Sequence, residues 1–138
     1  HASALLLFDL DNFKRVNDMH GHLEGDAALV RFAEILKKQF RSRDFLARTG
    51  GDEFATLLRD VDVAALRDEM DELHARALHI SVAGFPLFFA YGIASFDPER
   101  DADIHATLTR ADAEMYAHKR ALKREREQEE LLSPDQNS

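Results

Sequence analysis

The chain has 138 residues, 45% of them hydrophobic and 32% charged, a net charge of −8 and no cysteine. That size fits one domain with room for a real core. The acidity argues against nonspecific nucleic-acid binding, and the lack of cysteine excludes disulfides and thiolate sites, in keeping with a cytoplasmic protein.

In chain order, residues 4–8 are a continuous apolar run and predict a central strand, Ala4 to Phe8. It ends in Asp9-Leu10-Asp11, at the strand end where open α/β sheets collect ligands. The acids resemble the start of a calcium loop, but Lys14 stands at the sixth position and His20 at the twelfth, where glycine and glutamate belong. Residues 13–19 predict a short helix broken at Gly21, and residues 26–40 a strong helix with Leu29, Phe32, Leu36 and Phe40 on one face. Asp26 follows Gly25 and reads either as an N-cap or as a carboxylate that takes the N–H edge of a base; Asn17 has the same two readings. His20 and His22 have metal-pair spacing, yet such a pair in a loop is more often structural.

Residues 45–58 predict a hairpin around Gly50-Gly51-Asp52-Glu53. The glycines are expected to supply positive φ in its turn. Adjacent carboxylates repel unless a cation lies beside them, which points to a hard metal ion; alone, the stretch reads rather as a solvated surface turn. Residues 63–78 predict a helix, 80–96 one or two strands with Pro86 at an edge or turn, and 104–132 a long helix that becomes highly charged. Residues 133–138 are expected to be a disordered tail. The order β-α-α-β-β-α-β-α indicates an α/β (α+β) sandwich, a mixed central sheet covered by helices. No stretch is apolar enough to span a bilayer. Because the chain opens within a strand, it is expected to be cut from a longer protein.

Four separated stretches carry a family resemblance: FDLDNFKRVNDMHGHLEGD, RTGGDEF, Tyr91-Gly92-Ile93-Ala94 and ADAEMYAHK, ending at Lys119. Together they resemble the GGDEF domain of bacterial diguanylate cyclases over residues 1–132, without the segment that usually precedes the first strand. The resemblance implies a palm-like nucleotidyl-cyclase fold and condensation of two GTP into cyclic di-GMP with release of pyrophosphate. It implies Mg²⁺ or Mn²⁺ held by Asp9, Asp52 and the Leu10 carbonyl, with Glu53 activating the 3′-hydroxyl. The backbone at Asn12 and Phe13 would meet phosphates, and Asn17 and Asp26 would read guanine. Gly50 and Gly51 would allow close approach of the nucleotide, and Lys119 would reach the terminal phosphates. A homodimer is implied, since each protomer holds one GTP, with sensor or other signalling domains in the full-length protein. Arg41 and Asp44 match the family's R-x-x-D product-inhibition site, with Arg48 in support; as isolated residues they read as a helix cap and a strand start. An alternative is a non-catalytic module that binds GTP or cyclic di-GMP and regulates an attached domain.

The chain departs from the family pattern in three places. Ala90 stands where serine is usual, a position expected to serve packing. Leu122 replaces a glycine, so the last helix is expected to run on. Lys123 replaces a phosphate-binding arginine and keeps the charge without the bidentate fork.

Overall fold

The computed structural model describes residues 2–11, 13–40, 45–82, 84–97, 99, 101 and 103–132; the expected tail at 133–138 lies outside them. Strand β1 (Ala2–Leu10) leads through helices α1 (Phe13–His20) and α2 (His22–Phe40) to the hairpin strands β2 (Phe45–Arg48) and β3 (Glu53–Val61). Helix α3 (Val63–Ala77) follows, then the short strands β4 (Ser81–Val82) and β5 (Phe85–Pro86), strand β6 (Phe89–Phe96) and helix α4 (Ile104–Leu132). The main sheet has the order β2-β3-β1-β6, and β4-β5 form a separate ribbon.

Every pairing in the main sheet is antiparallel, which corrects the expected mixed sheet. The reason lies in the crossovers. The α1–α2 connection carries the chain from β1 to β2 but leaves a gap of one strand, which β3 fills on its return from the hairpin. The α3 connection likewise carries β3 past β1 to β6. Strands joined by helices are thus never neighbours, the split βαβ arrangement.

Helix α2 begins at His22, four residues before the predicted start. Gly21 makes the break from α1 at φ +87°, and the Gly25 N–H already donates to the Gly21 carbonyl at 3.2 Å. Asp26 is therefore an exposed residue inside the helix and not an N-cap. The cap reading does hold for α3, where the Asp62 carboxylate accepts from the Ala64 and Ala65 N–H groups. Pro86 lies in the β4-β5 ribbon, outside the main sheet.

Strand alternation sorts the core into two layers. Leu6, Phe8 and Leu10 of β1 pack with Phe32 and Leu36 of α2 and with Leu66 and Met70 of α3. Phe8, Phe32, Phe54 and Phe89 meet mostly edge to face there, with centroids 5.3–6.1 Å apart. Leu5 and Leu7 face the other way and pack with Ala90 and Ala94 of β6 and Ala111, Met115 and Leu122 of α4. Ala90 is fully buried there, as a packing residue.

Strand β6 is an edge of the sheet, so part of its backbone has no strand to pair with. Helix α4 supplies the partners. The Tyr91 N–H donates to His118 Nδ1 at 3.1 Å, and the Ile93 N–H donates to Glu114 Oε1 at 3.3 Å. Glu114 also pairs with Arg67 of α3. Such close seating requires Gly92: a Cβ there would lie 2.0 Å from the Ala111 carbonyl oxygen and 2.5 Å from the Met115 nitrogen. Both neighbours are helix backbone, which cannot step aside. Gly92→Ala is expected to destabilise the domain by about 3 kcal/mol or more through overpacking. A thermal melt within a degree of wild type would show that α4 is not seated this tightly.

Candidate active site

The row of β1 side chains that faces α4 runs Leu5, Leu7 and then Asp9. Asp9 is thus carried, 5% exposed, into the seam between sheet and helix. Lys119 of α4 meets it there, its Nζ donating to Asp9 Oδ2 at 3.0 Å. The other carboxylate oxygen, Oδ1, is buried without a hydrogen-bond partner among the described residues. A buried anionic oxygen left unpaired is costly, so this atom marks a place for a cation or donor.

The hairpin brings the other acids to the same point. Asp9 lies directly across from Glu53 in the β1–β3 register, so both side chains leave the same face. The Leu10 N–H donates to the Asp52 carbonyl at 3.0 Å, tying the end of β1 to the turn. Arg48 braces the turn from within, donating through Nε to the Gly50 carbonyl at 3.1 Å and through Nη2 to the Gly51 carbonyl at 2.7 Å. Neither glycine has a positive φ, which corrects the expected reason for their presence. A Cβ on Gly50 would touch only the Glu53 side chain at 3.6 Å or more, and one on Gly51 would point into open space.

The electrostatics follow from this crowding. Asp52 is pushed above the ordinary carboxylate range, first by burial and then by the charge of Asp9, with Lys119 pulling the other way. Glu53 is raised by burial, by Asp9 and Asp52, and by Asp112 of α4, again against Lys119. Lys119 is depressed by burial but raised more by its hydrogen bond and its attraction to Asp9, Asp11 and Asp52, for a net upward shift. Among the described residues no three carboxylate or imidazole groups are already drawn together as a metal cage. The donor set nevertheless fits a hard divalent cation. Mg²⁺ is usually held by one or two carboxylates and completes its octahedron with water and phosphate oxygens. Asp9 with its unpaired oxygen, Asp52, and a backbone carbonyl at Leu10 are donors of that kind.

The remaining described candidates lie on α1, α2, β2 and α4. Phe13 opens α1, whose first turn holds no acidic residue. Asn17 of α1 lies against Gly25 of α2, where any side chain would collide with its Oδ1; that oxygen too is buried without a partner among the described residues. Asp26, Lys37, Arg48 and Phe54 line a groove of about 570 Å³ between α2 and the hairpin. Asp26 and Arg48 thus share a groove, whereas Asn17 is not among its lining residues. Lys123 is exposed on α4, one turn beyond Lys119. Asn12, Arg41 and Asp44 lie outside the described residues. Two residues not singled out from sequence also reach this end of the sheet: Arg126, whose Nη2 donates to Asp11 Oδ2 at 2.6 Å, and Phe88, whose carbonyl accepts the Asp11 N–H at 2.8 Å.

Comparison with known proteins bears on this arrangement. Residues 1–125 match the family model described as diguanylate cyclase, GGDEF domain. The chain is 39% identical over 121 residues to diguanylate cyclase DgcP of Pseudomonas aeruginosa, a match covering 85% of this chain and 18% of that protein. It therefore spans only a small part of that curated relative. Its fold superposes on the active GGEEF domain of a diguanylate cyclase from Vibrio cholerae with a TM-score of 0.79 at 26% identity, covering 88% of this chain and 78% of that one. The GGDEF domain of DgcB from Caulobacter crescentus, solved in complex with c-di-GMP, gives a TM-score of 0.79 at 26% identity, covering 87% and 73%.

Carboxylates whose folded-state pKa is raised bind protons more tightly folded than unfolded. They cost stability above their ordinary pKa, and the cost fades as pH falls through the raised value toward the ordinary one. Asp52→Asn is therefore expected to melt above wild type at pH 7 in metal-free buffer, with the gain shrinking toward pH 4. Adding Mg²⁺ should raise the melting temperature of wild type more than that of the variant. An equal or lower melting temperature for the variant at pH 7 would refute the crowding.

Proposed function

This chain belongs to the GGDEF-domain family of diguanylate cyclases, and we propose that it joins two molecules of GTP into cyclic di-GMP, releasing two pyrophosphates. The observation that carries the reading is the meeting of Asp9, Asp52 and Glu53 at one end of the sheet with Lys119 laid across them from α4. Open space over Gly51 supports it, because nothing among the described residues calls for glycine there and a nucleotide would.

Each residue then has a task set by its surroundings. Asp9 and Asp52, with the Leu10 carbonyl, hold Mg²⁺ or Mn²⁺. That cation, when bound, neutralises phosphate charge and lowers the pKa of an attacking hydroxyl. The backbone at Asn12 and the start of α1 at Phe13 receive phosphate oxygens, as a helix start with no acid in its first turn can. Lys119 and Lys123 offset the triphosphate charge from α4. Asn17 and Asp26 read the guanine edge, the amide through O6 or N7 and the carboxylate through N1–H and N2–H. Glu53, raised by burial and by Asp9, accepts the proton of the 3′-hydroxyl.

In the reaction a 3′-oxygen bonds to the α-phosphorus of the facing GTP, the bond to pyrophosphate breaks, and the hydroxyl proton leaves toward Glu53 or solvent. The same exchange in the opposite sense closes the ring. Each protomer holds one GTP, so two copies must face one another, with positioning as the chief catalytic contribution. Arg41 and Asp44, with Arg48, form an inhibitory product site. Arg48 fits that role because it already borders the groove beside the hairpin.

The test is product formation from GTP and Mg²⁺ by the domain held as a dimer through a fused dimerisation segment. Cyclic di-GMP is expected; its absence at high protein concentration would sink the enzyme reading, and retained GTP binding would then leave a regulatory binding module. Asp52→Ala is expected to lower turnover by about a hundredfold or more while the fold survives, since even outer-sphere changes at metal sites cost up to that much. Near-wild-type turnover would remove Asp52 from the metal site. Arg41→Ala should leave the initial rate intact and lift inhibition by added cyclic di-GMP; unchanged inhibition would assign Arg41 to capping α2.

A further inference from the structure

Asp11 stands just past the end of β1, two residues after Asp9. There it meets a second cation of α4. Arg126 follows Lys119 by seven residues, two turns along α4, and so projects from the same face. Its Nη2 donates to Asp11 Oδ2 at 2.6 Å, and its guanidinium carbon lies 5.3 Å from the centroid of the Phe88 ring. Asp11 in turn donates its backbone N–H to the Phe88 carbonyl at 2.8 Å. The three residues close a ring of contacts: charge to charge, cation to aromatic face, backbone to backbone. The Asp11 side chain is 5% exposed, so losing its partner would leave a buried charge uncompensated, the costly way to break an ion pair.

The ring sits where β1 hands over to α1, between the metal-binding end of the strand and the helix start at Phe13. We infer that Arg126 is a positioning residue for the first turn of α1, which receives the triphosphate. By pinning Asp11 against Phe88, it sets the direction of the backbone N–H groups that open α1 and receive phosphate oxygens. It acts through Asp11 and does not touch the nucleotide. Arginine suits this task better than lysine, since a planar guanidinium can stack on Phe88 while it donates to a carboxylate. The inference rests on the GTP reading above.

Two measurements on this chain separate the inference from that reading. The first uses no nucleotide: amide hydrogen exchange in wild type, Arg126→Ala and Arg126→Lys. Arg126→Ala is expected to speed exchange at Asp11 and the first turn of α1 by about tenfold, with β3 and α3 unchanged and Arg126→Lys only partly restoring protection. The second is steady-state turnover of the dimerised domain with Mg²⁺. Arg126→Ala should raise KM for GTP by about tenfold, the scale seen for outer-sphere positioning groups, and change kcat much less. Lys123→Ala should raise KM without any change in exchange, because it meets the phosphates directly. Unchanged exchange in Arg126→Ala would overturn the inference, as would faster exchange with an unchanged KM. Failure of the unmutated chain to bind GTP would overturn the functional reading and this inference together, and it would be recognised because it appears before any substitution is made.

Discussion

Because side chains alternate along a strand, burying Leu5 and Leu7 of β1 beneath α4 obliges Asp9 to follow them into the same seam. The packing of those two leucines against Ala111, Met115 and Leu122 also fixes the rotation of α4 about its axis. That rotation turns Lys119 and Arg126 toward the acids. A slip of one residue in the β1–β3 register would send Asp9 into the phenylalanine layer and Phe8 toward Lys119. The apolar layer near the middle of the sheet therefore determines the placement of charge at its end.

The charge placement works against stability, and the fold contains the cost locally. Burial raises the proton affinity of both hairpin acids, the charge of Asp9 adds to it on each, and Asp52 adds to it on Glu53. Lys119 satisfies only one oxygen of Asp9. A protein selected for stability alone would neutralise such a cluster or move it into solvent. Retaining it, half-buried and incompletely paired, is the usual mark of a site whose partner arrives from outside. The glycines of the hairpin agree. Their φ angles are not positive and their Cβ positions are clear of obstruction, so packing among the described residues does not call for glycine at either position.

Local pattern made much of this visible in the sequence. The apolar run before Asp9, the paired acids after Gly51 and the long last helix could each be read directly, because each depends on residues adjacent in the chain. What could not be read depends on contacts between distant segments. The sheet was expected to be mixed because helix-linked strands suggest parallel neighbours, and only the return of β3 between β1 and β2 makes it antiparallel. Helix α2 was expected to start at Asp26, since glycine followed by aspartate resembles a cap; the glycine is there instead to admit Asn17 of α1. Ribbon β4-β5 has two residues per strand, too few for any alternation to be seen. Arg126 had a signal in its seven-residue spacing from Lys119, but its partner Asp11 becomes visible only once β1 and α4 are placed side by side.

Helix α4 links these observations because one rigid element performs two kinds of work. Its Glu114 and His118 close the edge of β6, and its Lys119 and Arg126 meet the acids at the end of β1. The first pair fixes the height of the helix along the sheet, and the second depends on that height. The replacement of a family glycine by Leu122 then acquires a physical meaning. Leu122 is 8% exposed and packs in the layer with Leu5 and Leu7, so it holds the helix down where a glycine would let it end. Continued helix is what carries Arg126 to Asp11. Leu122, beside Lys123, thus extends the scaffold that delivers Arg126, one turn later, to Asp11.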